Sequence, residues 1–163
     1  MKNIQKISVV APLFNEEKSV ALLHQELLAA LKSLPYSFEI IMVDDGSKDG
    51  TFDEIRKLTS VAGIRLSRNY GQTLGLAAGI KKATGDVIVT IDGDLENDAR
   101  DIPKLIEKLN EGFDIVSGWR KDRWKGSFFS RRLPSLVANW LISLASGAKL
   151  HDHGCTLKAY RRE

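Results

Sequence analysis

The chain has 163 residues, of which 43% are hydrophobic and 28% charged, and its formal net charge is +3. These values fit one folded domain with a single core and exclude intrinsic disorder. The single cysteine, Cys155, excludes an internal disulfide and favours a reducing compartment. The first apolar run, Ile7 to Ala11, is too short for a secretory signal, and no apolar run is long enough to span a bilayer.

Five short apolar runs predict β-strands. The runs are rich in β-branched and aliphatic residues and nearly continuous, as expected for strands that helices cover on both faces of a sheet. The predicted strands are Ile7 to Ala11, Phe38 to Val43, Gly63 to Leu66, Val87 to Ile91 and Asp114 to Val116.

Four amphipathic stretches between and around these runs predict helices. The first has an apolar stripe from Val20 to Leu34, and Asn15 is expected to cap it. Thr51 and Glu54 form a capping-box pattern at the start of the second. The remaining two helices are predicted at Gln72 to Ala83 and at Ile102 to Leu109.

The alternation of strands and helices predicts the architecture. Successive strand–helix–strand units make right-handed crossovers, which place the strands in a mostly parallel sheet with helices on its faces. No repeat, low-complexity tract or linker interrupts the pattern, so a single α/β domain is expected over residues 1–163.

Polar residues follow four of the five predicted strands. Ligands of parallel sheets bind beyond the carboxyl ends of the strands, so these residues are expected to share one edge and form a site. The clusters are Pro12, Asn15, Glu16 and Glu17 after the first strand, Asp44, Asp45, Gly46 and Ser47 after the second, Arg68 and Asn69 after the third, and Asp92, Gly93 and Asp94 at the fourth.

The segment Asp92-Gly93-Asp94 is the sharpest of these clusters. Two carboxylates at positions i and i+2 of an extended segment point the same way, and Gly93 lets another group approach closely. Such a pair can hold Mg²⁺ or Mn²⁺ and leave coordination positions for a diphosphate, with Glu96 as a further oxygen donor. The alternative is an acidic turn that closes a strand, because Asp and Gly are common turn residues.

Asp44 and Asp45 suit hydrogen bonds to a ribose or to the edge of a base. The alternative is a turn before a helix. The segment from Asp45 to Gly50 also imitates the start of a calcium-binding EF-hand loop, but Arg56 occupies the position that needs a bidentate Glu, so calcium is rejected. At the third strand end, the Arg68 guanidinium is expected to pair with a phosphate.

A basic stretch and an amphipathic stretch occupy the last third of the chain. The basic cluster suits phosphate or an anionic membrane surface, although a solvated loop is the alternative. The stripe from Leu133 to Leu144 includes Trp140 and favours membrane contact over an ordinary core helix because basic and aromatic residues precede it. The basic residues are Arg120, Lys121, Arg123, Lys125, Arg131 and Arg132, with only Asp122 opposing them.

Taken together, four ordered motifs resemble glycosyltransferase family 2, whose members have the Rossmann-like GT-A fold that binds nucleotide diphosphate sugars. The resemblance covers essentially the whole chain. It is strongest to the polyprenyl-phosphate branch, which transfers sugars to dolichol or undecaprenyl phosphate. The motifs are Pro12-Leu13-Phe14-Asn15-Glu16-Glu17, Val43-Asp44-Asp45-Gly46-Ser47, Arg68-Asn69-Tyr70-Gly71 and Asp92-Gly93-Asp94-Leu95.

The resemblance implies roles for residues of the donor side. Pro12, Asn15 and Asp45 would hold the nucleoside, and Asp92 and Asp94 would bind the metal and the diphosphate. Family members often continue the metal motif with Gln and Pro, whereas Glu96 and Asn97 follow here.

The resemblance also implies an acceptor side. Arg120 matches an arginine that follows the fifth strand, and Arg131 or Arg132 matches a basic position near the acceptor phosphate. The segment from Asp152 to Arg162 resembles the family's acceptor-side segment, and Asp152 is the candidate general base for a hydroxyl acceptor. The family domain runs further and often carries transmembrane helices, so the chain is expected to be truncated at its C-terminal end.

The expected reaction is inverting, metal-dependent transfer of a hexose from a UDP- or GDP-linked donor to a polyprenyl phosphate. It would take place at the cytoplasmic face of the membrane, with the chain peripheral to the bilayer. A saccharide hydroxyl acceptor and a non-catalytic nucleotide-sugar-binding module are the alternatives. No nucleic-acid partner is expected, and association into homo-oligomers is left open.

Overall fold

The computed structural model describes residues 3–119 and 155–162. Within these ranges the chain alternates strands and helices, and the predicted α/β architecture is confirmed. The strands are β1 (Lys6–Leu13), β2 (Ser37–Asp44), β3 (Val61–Arg65), β4 (Val87–Thr90), β5 (Ile115–Ser117) and β6 (Lys158–Arg161). The helices are α1 (Val20–Lys32), α2 (Thr51–Lys57), α3 (Gln72–Lys82) and α4 (Ile102–Asn110), with a 3₁₀ turn at Ala99–Asp101 before α4.

The described strands form one sheet in the order β3-β2-β1-β4-β6-β5. The neighbours among β1 to β4 pair in parallel, as predicted, whereas β6 runs antiparallel to both β4 and β5. Strand β6 was not predicted, because its four residues are largely polar and only Ala159 is fully buried.

Apolar side chains of the central strands alternate between two faces, as the pleat of a strand requires. Val9 and Met42 pack in the larger core, which also contains residues of α1 and α4. Val10 and Val43 point to the other face, under α3. A Cβ on Gly79 of α3 would collide with Val10, so this glycine allows the helix to pack closely on the sheet. Both faces are therefore covered, and no described helix has the length and apolar character needed to cross a bilayer.

The predicted cap of α1 is wrong. The helix begins at Val20 after Ser19, and a turn in which Ser19 N–H donates to the Glu16 carbonyl separates it from Asn15. Asn15 lies at φ 57°, and its Oδ1 accepts a hydrogen bond from Lys48 N–H at 2.9 Å. Its amide side chain therefore serves the loop after β2 instead of the helix.

The predicted capping box of α2 is also absent. Thr51 is already the first residue of the helix, and its hydroxyl donates to Asp49 and accepts from Glu16 N–H. Glu54 forms an exposed ion pair with Lys57. The start of α2 is therefore tied to the loop after β1.

A partly buried polar cluster joins β1, β2 and the loop before β4, at the opposite edge of the sheet from the cluster of polar motifs. Glu39 of β2 accepts hydrogen bonds from the Ser8 hydroxyl at 2.5 Å, from Thr84 N–H at 2.7 Å and from Lys6 Nζ at 3.0 Å. Partial burial raises the pKa of Glu39, but the hydrogen bonds from Ser8, Thr84 and Lys6 outweigh it and lower the pKa from 4.5 to about 2.

We expect Glu39→Gln to lower the free energy of unfolding at neutral pH by about 1–3 kcal/mol, because a charged acceptor of several hydrogen bonds is lost. The depressed pKa means that the stabilisation is fully present above pH 4.5 and is lost as the pH falls through about 2. Urea unfolding as a function of pH measures the difference between the two proteins. Glu54→Gln, which removes only an exposed ion pair, is the control and is expected to have little effect. A difference between wild type and Glu39→Gln that does not shrink below pH 4.5 would contradict this.

Candidate functional site

A cleft of about 270 Å³ lies at the carboxyl ends of β1, β2 and β4. Sequence reasoning predicted a site at this edge of the sheet, and seven of the polar-cluster residues line the cleft. Those seven are Pro12, Glu16, Asp45, Asn69, Asp92, Gly93 and Asp94. The other lining residues are Leu13, Phe14, Gly71 and Gln72.

Gly93 brings the acidic segment directly against the end of β1. A Cβ at this position would lie 2.8 Å from Leu13 Cδ2 and 3.0 Å from the Pro12 carbonyl oxygen. These distances are shorter than side chains tolerate, so only glycine allows Asp92 and Asp94 to sit this close to β1.

Asp45 follows β2, and its carboxylate is buried at the base of the cleft, with 3% of the residue exposed. Its Oδ1 accepts a hydrogen bond from Tyr70 N–H at 2.9 Å, and its Oδ2 accepts one from Gly71 N–H at 2.8 Å. Gly46 has a φ of 69°, and a Cβ at this position would collide with the backbone of Arg68. Asp45 and Gly46 therefore hold the loop before α3 against the end of β2.

The two carboxylates of the acidic segment have different surroundings. Asp92 is half-buried, and both of its oxygens accept hydrogen bonds from amide side chains, Oδ1 from Gln72 and Oδ2 from Asn97 at 3.2 Å. Asp94 is exposed, and its Oδ1 accepts from Glu96 N–H at 3.0 Å. One carboxylate is thus fixed by its neighbours, while the other faces the open part of the cleft.

Among residues 3–119 and 155–162, those that line the cleft carry four carboxylates, of Glu16, Asp45, Asp92 and Asp94, and no Lys, Arg or His. A nucleotide diphosphate is an anion and is repelled by such a surface unless a cation lies between them. Magnesium in phosphate-binding sites is commonly held by one or two protein carboxylates, together with water and phosphate oxygens. Asp92 and Asp94 fit this donor set.

Glu96 does not line the cleft, and it is exposed beyond the turn at Leu95, which has φ 63°. Among residues 3–119 and 155–162, no group of three or more His, Cys, Asp or Glu side chains lies close enough to bind a metal. The predicted three-carboxylate set of Asp92, Asp94 and Glu96 is therefore not assembled in the structure.

Asp44 points away from the cleft. It is fully buried, and its Oδ1 accepts a hydrogen bond from Ser47 N–H at 2.9 Å. Its Oδ2 lies 3.4 Å from Arg65 Nε, which makes a charged contact without a hydrogen bond. Its contacts hold the turn after β2 together and include none with the cleft.

Three further predicted residues lie beside the cleft. Asn15 and Glu17 tie the loop after β1 to the loop after β2, since Lys48 N–H donates to Asn15 and Gly50 N–H donates to Glu17 Oε2. Arg68 is exposed, and its guanidinium lies 5.0 Å from the centre of the Tyr70 ring. Arg120, Arg131 and Asp152 lie outside the described residues.

Sequence reasoning missed Gln72 and Asn97 as residues of the site. Gln72 is the first residue of α3, and its Nε2 donates to Asp92 and, at 3.2 Å, to Thr156 Oγ1. Asn97 is 4% exposed. The only signal in the sequence was the position of Asn97 within five residues of Asp92.

Comparisons with known proteins give a consistent result. The family model described as "Glycosyl transferase family 2" matches residues 8–163. A dodecaprenyl-phosphate galacturonate synthase from Rhizobium johnstonii is 46% identical over 96% of this chain and 48% of its own length. An undecaprenyl-phosphate 4-deoxy-4-formamido-L-arabinose transferase from Photorhabdus laumondii is 39% identical over 99% of this chain and 50% of its own length. The chain thus spans about half the length of the curated relatives it matches.

Solved structures with the same fold include two enzymes crystallised with Mn²⁺ and a nucleotide sugar. Glucosyl-3-phosphoglycerate synthase from Mycobacterium tuberculosis, with UDP-glucose and phosphoglyceric acid, superposes with a TM-score of 0.74 at 20% identity, covering 96% of this chain and 57% of that one. A mannosyltransferase from Pyrobaculum calidifontis with GDP-mannose has a TM-score of 0.64 at 21% identity, covering 99% and 46%. The GT-A fold expected from the sequence is confirmed.

Proposed function

The chain belongs to glycosyltransferase family 2, and we propose that it is the donor-binding part of an inverting enzyme that transfers a sugar to a polyprenyl phosphate. The observation that carries the proposal is the acidic cleft at the carboxyl edge of the sheet, with Asp45, Asp92 and Asp94 in its lining. The two relatives named above support the acceptor, because polyprenyl phosphates are named in both.

The cleft suits a nucleotide diphosphate sugar that is bound together with Mg²⁺ or Mn²⁺. Asp92 and Asp94 would hold the cation, which supplies positive charge to the leaving diphosphate when bound. Asp45, at the base of the cleft, would accept a hydrogen bond from the nucleoside, with Pro12 beside it. Asn15, Glu17, Asp44 and Arg68 would support this pocket from the surrounding loops.

In the proposed reaction, an oxygen of the acceptor attacks the anomeric carbon while the bond from that carbon to the diphosphate oxygen breaks. The configuration is inverted because attack and departure occur on opposite faces. A lipid phosphate is largely ionised near neutral pH, since the second pKa of such groups is about 6. It therefore needs cationic groups to position it more than it needs a general base, and Arg120 and Arg131 would supply them.

A saccharide hydroxyl acceptor is the alternative, and it would require Asp152 as general base. A non-catalytic module is a second alternative, but such a module has no use for a pair of carboxylates facing a diphosphate. A phosphate acceptor gives activity that does not depend on Asp152, whereas a hydroxyl acceptor loses activity in Asp152→Asn.

Calorimetry of the chain with UDP-glucose, UDP-galacturonic acid and GDP-mannose, each with and without Mn²⁺, tests the donor. We expect one of the three to bind, and to bind only with the metal. Titration with free UDP and free GDP identifies the base of the donor. Comparison of the three sugar nucleotides identifies the preferred sugar. Absent binding, or binding of equal affinity without metal, would overturn the metal-dependent donor site.

The membrane surface is tested separately. We expect the chain to bind anionic vesicles at low salt through the basic stretch before Leu133 and to be released as salt rises, because each basic residue contributes about 1 kcal/mol near such a surface. Flotation with phosphatidylglycerol vesicles measures this. Arg131→Glu combined with Arg132→Glu should remove most of the vesicle binding and leave donor affinity unchanged. A wild-type chain that stays unbound at low salt would contradict the membrane contact.

A further inference from the structure

Asp92 is the cleft carboxylate that side chains hold on both oxygens. Two neutral amide groups reach it from different parts of the chain, Gln72 Nε2 at Oδ1 and Asn97 Nδ2 at Oδ2, the latter at 3.2 Å. Gln72 is 20 residues away in sequence and Asn97 is five. Donors on both oxygens fix the plane of the carboxylate and so the direction in which it faces the cleft.

The support continues behind Asn97. Its Oδ1 accepts a hydrogen bond from the Cys155 thiol at 3.5 Å, and both residues are almost fully buried, at 4% and 1% exposure. The neighbouring Thr156 contacts the other amide, because its Oγ1 lies 3.2 Å from Gln72 Nε2. The side chains of two consecutive residues just before β6 therefore contact both groups that hold Asp92.

Amide donors have a property that charged donors lack. Asp98, outside the cleft, is paired with the Arg100 guanidinium at 2.7 Å, and such a partner neutralises a carboxylate. Gln72 and Asn97 are neutral, so their hydrogen bonds orient Asp92 without adding positive charge to it. Each carboxylate oxygen has two lone pairs, so one amide hydrogen bond does not exhaust the acceptor capacity of that oxygen.

We propose that Gln72 and Asn97 are positioning residues for the Asp92 carboxylate, and that the Cys155 thiol in turn fixes the Asn97 amide. This inference rests on the proposed function, in which Asp92 binds the cation that accompanies the diphosphate. Groups that hold metal ligands in place typically change metal affinity or activity 10- to 100-fold when removed. The arrangement also couples the donor cleft to the segment that leads into β6.

The test measures Mn²⁺ affinity in the presence of UDP and, separately, of GDP by electron paramagnetic resonance, with no turnover required. Gln72→Met keeps the length of the side chain without its hydrogen bonds, at an exposed position where the fold tolerates the change. We expect Mn²⁺ to bind about 10- to 100-fold more weakly, while the melting temperature stays unchanged. Gln25→Met, on the exposed face of α1, is the matched control and should have no effect.

Asn97 and Cys155 are tested by the same measurement. Asn97→Ala should weaken Mn²⁺ binding by a similar factor. Cys155→Ser, which retains a donor to the Asn97 oxygen, should preserve Mn²⁺ affinity, whereas Cys155→Ala should lower it. This rescue by the conservative variant distinguishes positioning from packing. A site that needed only apolar bulk would tolerate a buried serine hydroxyl no better than an alanine, whereas serine alone keeps a γ-atom donor.

Three outcomes overturn the inference. Wild-type Mn²⁺ affinity in Gln72→Met and Asn97→Ala would show that Asp92 needs no such support. A Mn²⁺ affinity that falls in step with the melting temperature would assign these residues to folding alone. A wild-type chain that binds no Mn²⁺ with either UDP or GDP would remove the proposed metal-dependent function itself, and the inference with it.

Discussion

Asp94→Ala is expected to abolish Mn²⁺-dependent binding of the sugar nucleotide and to leave the fold intact. Asp94 is exposed at the cleft, so its removal opens no cavity in the core. The cleft would keep the carboxylates of Glu16, Asp45 and Asp92, but the proposed metal-binding pair on either side of Gly93 would be lost. Calorimetry with Mn²⁺ and whichever of the three tested donors binds the wild-type chain measures the loss, and circular dichroism checks the fold.

Asp92→Ala should have the same effect on donor binding with a larger effect on stability. It leaves the amides of Gln72 and of the buried Asn97 without their acceptor, and an unsatisfied buried donor costs about 1–3 kcal/mol. Asp101→Ala removes the same charge at a surface ion pair with Lys104 and serves as the control for long-range electrostatics. Unchanged donor affinity in both cleft variants would remove the metal assignment.

The central sheet could be predicted from the sequence because its strands are buried on both faces. The run from Phe38 to Val43 is interrupted by a single polar residue, Glu39, and the structure places it in a parallel strand as expected. Strand β6 offered no such run, and its pairing with β4 and β5 depends on contacts between distant parts of the chain. Local patterns carry no information on such contacts.

The carboxylates of the site could be predicted, but their orientations could not. Asp44 and Asp45 are neighbours in sequence, and both were predicted to hydrogen-bond a ribose or the edge of a base. Successive side chains at a strand end point in opposite directions, so Asp44 contacts Arg65 of β3 and Asp45 faces the cleft. The sequence shows only that the two carboxylates point opposite ways, because the packing of the sheet decides which of them faces the cleft.

The amides of the site were missed for a different reason. Gln72 at a helix start and Asn97 in a turn have the composition expected of ordinary surface positions. Their role comes only from the folded placement of α3 and β6 beside Asp92. The two helix caps predicted at Asn15 and Thr51 were wrong for the same reason. Each side chain accepts a hydrogen bond from the backbone of a neighbouring loop, Asn15 from Lys48 N–H and Thr51 from Glu16 N–H.

Asp45→Ala is expected to weaken free UDP or GDP as much as it weakens the sugar nucleotide, because its proposed contact is with the nucleoside. The loss of one hydrogen bond to a charged group costs about 1.5–3 kcal/mol, which corresponds to about a 10- to 150-fold loss of affinity. The structure adds a second consequence. Tyr70 N–H and Gly71 N–H lose their common acceptor, so the loop before α3 is released from the end of β2.

Two different measurements separate the loss of the nucleoside contact from the release of the loop. Calorimetry of free nucleotide and of sugar nucleotide, both with Mn²⁺, reports on the nucleoside contact, and thermal unfolding reports on the loop. We expect equal losses of affinity for both ligands and a loss of stability of about 1–2 kcal/mol, since the freed N–H groups lie near solvent and regain water. Asp53→Ala removes the same charge from the exposed face of α2 and should change neither quantity. If only the sugar-bearing ligand weakens, Asp45 contacts the sugar, because a nucleoside contact affects both ligands alike.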